Sequence, residues 1–152
     1  MPVSTRTRIL GVDYGSVRTG LAVSDPHRKI AFPLETYERQ GPERDAAFFR
    51  GVVEREEIGA IVVGLPIHSS GREGQKAAEA RAFGHWLAET TRLPVTFADE
   101  RFTTVEAESA LWDAGLTHAK RKGRRDKVAA QMLLQVYLDA GCPAEPAGPL
   151  DG

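Results

Sequence analysis

The first strands of the fold can be located in residues 9–24, which read ILGVDYGSVRTGLAVS. Residues 9–12 are a short apolar run that stops at Asp13, and residues 20–24 are a second run reached through a tight connection. The pair Asp25-Pro26 is typical of a type I turn. Residues 30–37 then resemble a third strand, in which Pro33 indicates an edge position. Three short strands joined by tight turns predict an antiparallel meander.

Helix and strand patterns alternate through the remainder of the chain. The sequence predicts a helix beginning at Pro42, a doubly buried strand at residues 60–64, an amphipathic helix over 75–91 and a strand at 95–98. A capping box at residues 103–106 predicts a helix that ends at Gly115. We expect residues 116–125 to form an exposed loop, because they contain few apolar side chains, and Asp126 to open the last helix.

The predicted order, β-β-β-α-β-α-β-α-α, is typical of an α/β fold with one mixed sheet and helices on its faces. Right-handed crossovers would make the fourth and fifth strands parallel to the first. We expect a single domain over residues 1–143 and a flexible tail, rich in Pro and Gly, over residues 144–152.

Helical spacing also predicts which side chains face the core. Trp86 and Trp112 are interpreted as core or interface anchors. For the helix at 75–91 the predicted buried stripe is Ala78, Ala82, Phe83, Trp86 and Leu87, and for the last helix it is Val128, Met132, Leu133, Val136, Tyr137 and Ala140.

Composition excludes several classes of protein. The 152 residues carry 20 basic and 21 acidic side chains, a net charge of −1, so no overall positive field indicates a nucleic-acid partner. A single cysteine, Cys142, excludes a disulfide framework and a thiolate zinc site. The chain starts without the apolar stretch of a signal peptide and has no apolar run of about 20 residues, so we expect a cytoplasmic protein.

Acidic residues stand where ligands gather in α/β sheets. Asp13 ends the first strand, Asp99 and Glu100 follow the fifth, and Asp126 opens the predicted last helix. Carboxylates brought close together repel each other, and a divalent cation removes that conflict. Oxygen ligands favour Mg²⁺ or Mn²⁺, and no histidine pair has the spacing of a zinc site. A site made of carboxylates alone is typical of phosphoryl-transfer chemistry.

A second signal is the basic segment KRKGRRDK at residues 120–127. Beside a metal bound at Asp126, its cations would hold a polyanion such as a nucleic-acid backbone. Each feature also has a purely structural interpretation. Asp13 could shape a turn, residues 99–101 could form a surface ion pair, Asp126 could favour a helix N-terminus, and the basic segment could be a solvated face.

Taken in order, several stretches resemble the YqgF/RuvX family, whose names assign its members to pre-16S rRNA processing and Holliday junction resolution, within the ribonuclease H-like superfamily. The matching stretches are residues 11–15, 20–25, 61–66, 99–107 and 126–130, which read GVDYG, GLAVSD, IVVGLP, DERFTTVEA and DKVAA. They follow the family order from about residue 9 to residue 140. One departure is at His68 and Ser70, where the family carries Asn and Asp.

The resemblance implies a ribonuclease H-like fold with a five-stranded mixed sheet, and it implies that Asp13, Glu100 and Asp126 are catalytic, metal-binding carboxylates. It implies two-metal-ion hydrolysis of RNA that leaves a 5′-phosphate and a 3′-hydroxyl, with Mg²⁺ or Mn²⁺ as cofactor and pre-16S ribosomal RNA as substrate. The residues expected to position the nucleic-acid backbone are Arg18, Arg101, Lys120, Arg121, Lys122, Arg124, Arg125 and Lys127.

Two alternatives stay open at this point, and a third is disfavoured. A Holliday junction resolvase would cut branched DNA and would require a two-fold homodimer, which the sequence does not establish. A catalytically silent binding module would use the basic segment alone. A sugar-kinase-type phosphotransferase is disfavoured, because such enzymes need two domains that close on a nucleotide.

Overall fold

The computed structural model describes residues 7–66, 74–99 and 118–143, and for residues 118–126 it describes the helical backbone only. Five strands form one sheet: β1 (Arg8–Asp13), β2 (Arg18–Ser24), β3 (Ala31–Glu38), β4 (Ile58–Leu65) and β5 (Val95–Asp99). Their spatial order is β3-β2-β1-β4-β5. The predicted helix at residues 103–115 and the predicted tail at 144–152 lie outside the described residues.

The sheet is mixed, as the sequence predicts. β1 pairs antiparallel with β2, and β2 pairs antiparallel with β3, which confirms the meander. β4 pairs parallel with β1, and β5 pairs parallel with β4. β3 forms one edge of the sheet, which is the position that Pro33 indicates.

Within the described residues, three helices cover the two faces of this sheet: α1 (Pro42–Arg55), α2 (Gln75–Thr91) and α3 (His118–Asp139). α1 and α2 share one core with alternate residues of the strands, including Leu10, Val12 and Leu21. α3 packs on the opposite face against the residues between them, including Ile9, Ala22 and Val62. β1 is therefore buried on both sides, as a central strand of an α/β sheet must be. Across the described residues, no helix is long and apolar enough to cross a membrane.

The last helix begins earlier than the sequence predicts. His118 is already helical, so the expected loop at 116–125 is wrong from residue 118 onward, and Asp126 lies inside α3 rather than at its start. Low apolar content does not exclude a helix, because Lys and Arg are good helix formers and a helix can begin without burying any side chain.

The buried faces of α2 and α3 also differ from the predicted stripes. Val136 is 53% exposed, and Ala78, Ala82 and Ala140 are exposed too. Apolar residues surround much of α3, so periodicity alone cannot select the face that meets the sheet. The buried residues are Ala77, Ala80, Phe83, Gly84 and Leu87 on α2, and Ala129, Ala130, Leu133, Leu134 and Leu138 on α3.

Candidate active site

Asp13 is the last residue of the central strand, and it faces α3. The side chains of Leu10 and Val12 point into the core beneath α1 and α2, so strand alternation directs Gly11 and Asp13 to the other face. The contact of Gly11 with α3 agrees with this assignment, since a Cβ built on Gly11 would lie 2.9 Å from Cβ of Leu134. The half-buried Asp13 carboxylate thus lies at the carboxyl end of the strand, where α/β folds bind ligands.

Glycines are the neighbours of Asp13 in the sheet. Gly20 of β2 pairs directly with Asp13. On the other side Val12 pairs with Val63, so the next residue of β4, Gly64, lies beside Asp13. The two residues that flank Asp13 in the sheet therefore have no side chain of their own.

The turn after Asp13 is shaped by Gly15. A Cβ at Gly15 would overlap the carbonyl oxygen of Arg18, so no other residue fits without moving the turn. The Gly15 carbonyl also accepts hydrogen bonds from Thr19 Oγ1 at 3.4 Å and from the Arg39 guanidinium at 3.3 Å. Together these contacts fix the backbone immediately after the candidate catalytic carboxylate.

Arg18 lies at the same rim of the sheet as Asp13. It begins β2, two residues before Gly20, so strand alternation assigns it to the face on which Asp13 lies. The residue is half-buried, and its contact with a nucleic-acid backbone stays a prediction.

The other predicted ligands are less completely described. β5 ends at Asp99, which pairs with Leu65 of β4, while Glu100 and Arg101 lie outside the described residues. Asp126 lies within α3, but its side chain is not among those described. Among the described residues, no group of three or more His, Cys, Asp or Glu side chains could hold a metal ion. Asp13 is thus the single predicted ligand whose side chain the described part of the structure includes.

The basic residues of the segment at 120–127 belong to α3 rather than to a loop. Lys127 is half-buried near the middle of the helix. For the other five, Lys120, Arg121, Lys122, Arg124 and Arg125, the structure gives a helical backbone and no side-chain position.

A buried ion pair that the sequence analysis did not identify stands beside this turn. Asp45 is fully buried and accepts hydrogen bonds from Arg39 Nε at 2.8 Å, Tyr37 Oη at 2.8 Å and the Gln40 amide at 2.9 Å. Burial by itself would raise the pKa of Asp45, but these three donors outweigh it and lower the pKa below its usual value. Burial and the bond to Asp45 raise the pKa of Tyr37 to about 12.

The sequence did contain a signal for this ion pair. Asp45 precedes the buried Phe49 by four residues and the buried Val52 by seven, so it falls on the apolar stripe of α1. An acidic residue in the first turn of a helix is usually explained by its interaction with the helix dipole. That explanation does not predict the buried ion pair of Asp45 with Arg39.

A cavity of about 310 Å³ opens next to the same turn, on the α1 and α2 side of the sheet. Three aromatic rings line it, those of Tyr14, Phe83 and Trp86, together with Arg39 and Glu79. The Tyr14 and Phe83 ring centroids are 4.9 Å apart, and those of Phe83 and Trp86 are 5.5 Å apart. The Arg39 guanidinium carbon lies 5.0 Å from the Phe83 centroid and 5.6 Å from that of Tyr14.

The chain is similar to a known protein family and to named relatives. A family model described as "RuvX: Holliday junction resolvase" matches residues 7–140. A protein of Rhodopirellula baltica named "Putative pre-16S rRNA nuclease" is 46% identical over 149 residues, covering 92% of this chain and 86% of the relative. A protein of the same name from Koribacter versatilis is 41% identical over 138 residues, covering 91% and 90%.

Among solved structures, the RuvC protein of T. thermophilus in complex with a Holliday junction substrate superposes with a TM-score of 0.54 at 19% identity, covering 89% of this chain and 96% of that one. The fowlpox virus resolvase also gives a TM-score of 0.54, at 10% identity, covering 88% and 97%. At these identities the likeness concerns the fold alone.

The strand order and the helices on both faces define a ribonuclease H-like fold, similar to that of the solved resolvases. Because the family model spans most of the chain and the relatives exceed 40% identity, the chain belongs to the RuvX family, a family of nucleases. This confirms the family resemblance and the fold class inferred from the sequence.

Proposed function

We propose that this protein is a divalent-metal-dependent nuclease that hydrolyses RNA phosphodiester bonds in the maturation of pre-16S ribosomal RNA. Asp13, Glu100 and Asp126 are the proposed catalytic metal ligands. The observation that carries the proposal is the position of Asp13, at the carboxyl end of the central strand between two glycines, in a chain whose relatives bear the name of this activity.

The packing of α3 supports Asp126 as a partner of Asp13. Gln135 donates a hydrogen bond to the Lys29 carbonyl just before β3, and Gln131 donates one to the Ala31 carbonyl at its start. On the β1 side, the carbonyl oxygen of Ala130 lies 3.3 Å from a Cβ built on Gly11. From Gln135 to Gln131, α3 therefore advances along β3 in the strand direction. β1 points the same way as β3, so toward its N-terminus the helix approaches the Asp13 end of the sheet. Along the helix axis, residue 126 lies about 6 Å from residue 130. Along β1, Asp13 lies about 6.6 Å from Gly11. The two lengths are similar, which supports a position of residue 126 near Asp13.

Strand alternation supports Glu100 rather than Asp99 as the ligand from the fifth strand. Phe97 packs in the core under α1 and α2, so Asp99, two residues later, has the same orientation in the strand. A residue one further along would be directed to the Asp13 face if the alternation continued. The proposed set is three carboxylates, which are hard oxygen donors and match Mg²⁺ or Mn²⁺.

In the proposed reaction, two bound divalent ions would activate water and neutralise charge on the scissile phosphate. The protein's own residues do the remainder. The strand and the Gly15 turn hold the backbone of Asp13 rigidly in place. Arg18, on the same face, would bind an oxygen of the phosphate group next to the scissile one. Water adds to phosphorus and the P–O3′ bond breaks, which leaves a 5′-phosphate and a 3′-hydroxyl.

The first test is the variant Asp13→Asn, which removes one charge and keeps the shape of the side chain. We expect it to reduce metal-dependent cleavage of single-stranded RNA by at least about 100-fold, as loss of a catalytic group commonly does, and to leave RNA affinity largely intact. The measurement is cleavage of end-labelled RNA with Mg²⁺, Mn²⁺ or EDTA, beside binding in EDTA. Asp139→Asn, at an exposed position at the end of α3, is the matched control. Unchanged cleavage by Asp13→Asn would show that Asp13 is not a ligand.

Branched DNA is the second candidate substrate, and the family description together with the resolvase fold favours testing it. Cutting a four-way junction symmetrically would require a two-fold dimer. The same assay with labelled RNA, single-stranded DNA and four-way junctions separates the two. Paired symmetric cuts in the junction, with RNA left intact, would overturn the RNA proposal.

A further inference from the structure

We propose that the cavity formed by Tyr14, Phe83, Trp86, Arg39 and Glu79 binds one unpaired nucleobase of the RNA strand cleaved at Asp13. This inference rests on the proposed nuclease function and adds a recognition site on the opposite face of the sheet. Tyr14 directly follows Asp13, so their Cα atoms are about 3.8 Å apart, and one nucleic-acid strand crossing this rim would meet both.

The aromatic lining favours a flat, polarisable ligand. Phe83 is nearly covered by its neighbours, whereas Tyr14 and Trp86 are half-buried and expose part of each ring to the cavity. The Phe83 and Trp86 rings lie nearly parallel, with an interplanar angle of 25°. Partly exposed rings beside a backbone-binding site are how proteins hold unstacked bases of single strands. The volume, about 310 Å³, lies at the low end of the range for small-molecule pockets.

The charges at the cavity favour a neutral base over a phosphate. Arg39 is the cation of the lining, and its guanidinium is already bound to the carboxylate of Asp45 at 2.8 Å. Glu79, exposed on α2, adds a second negative charge. Arg39, Asp45 and Glu79 together carry a net negative charge, which opposes binding of a second phosphate. Arg39 as donor and Glu79 as acceptor instead match the edges of a heterocycle that both donates and accepts hydrogen bonds.

The arrangement is also preorganised. The three donors to Asp45 hold its carboxylate, Asp45 and the Gly15 carbonyl hold Arg39, and Arg39 lies against two of the three rings. A base entering the cavity would not need to order these side chains, so little of the stacking energy is lost to side-chain entropy.

The test measures binding of fluorescein-labelled single-stranded RNA of about 12 nucleotides in EDTA, using a series in which one nucleotide at a time is abasic. Wild-type protein should bind much more weakly to the RNA in which the nucleotide at one particular position is abasic. Trp86→Ala should weaken binding of the intact RNA by about 5- to 150-fold, the usual range for losing one base–aromatic stack, and should no longer respond to the abasic nucleotide at that position.

Two further variants keep the test decisive if Trp86→Ala fails to fold. Ala82 is exposed on α2 and lines the same cavity, so Ala82→Leu should block the cavity without disturbing the core and should reproduce the loss. Phe32→Ala removes a 49% exposed ring from the edge strand, far from the Asp13 end of the sheet, and should leave affinity unchanged.

The outcomes separate this proposal from the one on which it rests. A wild-type affinity that is insensitive to every abasic position, or an Ala82→Leu variant that keeps the wild-type profile, would overturn the base-binding site, even if RNA cleavage depends on Asp13. The wild-type protein could instead cleave no RNA and still lose affinity at one abasic position. If Ala82→Leu then abolished that loss, the base-binding cavity would be supported and the nuclease proposal overturned.

Discussion

At the scale of single residues, Asp45 shows how a carboxylate can be fully buried and still ionised. Its three donors come from β3 and the segment that joins it to α1, and Arg39 supplies the compensating charge. Leaving the Arg39 cation partly buried without that charge would be costly, because desolvation is no longer offset by a partner. The pair therefore holds Arg39, and with it the Gly15 turn, in a single position.

The substitution Asp45→Asn keeps the shape of the side chain and removes the charge. We expect it to lower the free energy of unfolding by about 3 kcal/mol, because one or more of the three donors then faces an amide NH₂ group. Urea unfolding at pH 7 measures the change, and Asp139→Asn, at an exposed position, should stay within about 0.5 kcal/mol of wild type. Equal stability of Asp45→Asn and wild type would contradict the role given to this ion pair.

The pH dependence of the same pair has a definite sign. The folded state lowers the pKa of Asp45 below its usual 3.8. Its contribution to stability is therefore fully present above that value and is lost as the pH falls through the lowered folded-state pKa. Asp45→Asn should lack this part of the acid destabilisation, so its stability should approach that of wild type in the most acidic samples.

At the scale of elements, the contact between α3 and β1 decides which face of the helix is buried. Gly11 has no side chain, so the helix backbone approaches β1 closely at Ala130 and Leu134. Leu134 fills the space above Gly11, and Ala130 and Leu138 follow on the same side of the helix, at intervals of four residues. The same contact sets the register from which the position of Asp126 is inferred.

Gly11→Ala tests this contact. The new Cβ would lie 2.9 Å from Cβ of Leu134 and 3.3 Å from the Ala130 carbonyl oxygen, neither of which is the end of a movable side chain. We expect a loss of about 1–3 kcal/mol from overpacking, measured by urea unfolding.

The matched control for Gly11→Ala is Gly51→Ala in α1. No atom lies within 4 Å of a Cβ built on Gly51, and the position is exposed. The alanine should stabilise the protein by up to about 1 kcal/mol, through helix propensity alone. A tolerated Gly11→Ala would mean that α3 is not held this closely against the central strand.

At the scale of the whole molecule, the proposed metal site links residues that are far apart in the chain. Asp13, Glu100 and Asp126 belong to three different segments, so the repulsion expected between them in the proposed site would exist only when the chain is folded. Divalent ions that relieve it would bind the folded state and not the unfolded one, which couples metal binding to global stability.

This coupling predicts a rise in melting temperature with magnesium. At a concentration of about ten times its Kd, a ligand specific for the folded state adds about 1.4 kcal/mol, which raises the Tm of a chain of this length by about 3–6 °C. Asp13→Asn should show a smaller rise or none. NaCl at matched ionic strength controls for general screening, and a wild-type Tm that is constant across the magnesium titration would argue against a preformed site.

The sequence by itself determined the sheet and the position of its candidate catalytic residue. Apolar runs bounded by turn residues located all five strands, and Pro33 indicated the edge strand. The apolar run at residues 9–12 predicted Asp13 at a strand end, where the structure has it. These features are encoded locally, since strand burial and turn chemistry depend on residues that are adjacent in the chain.

Tertiary structure alone decided the features that depend on close approach between distant segments. Periodicity predicted a buried stripe for the last helix that included Val136 and Ala140, which are exposed. The close approach of the helix to Gly11 selects the face that carries Ala130 and Leu134 instead. The Arg39–Asp45 pair and the aromatic cavity beside Tyr14 likewise bring together the β1–β2 turn and two helices. The physical reason is that local pattern sets which residues avoid water, whereas the packing of elements sets which of them meet.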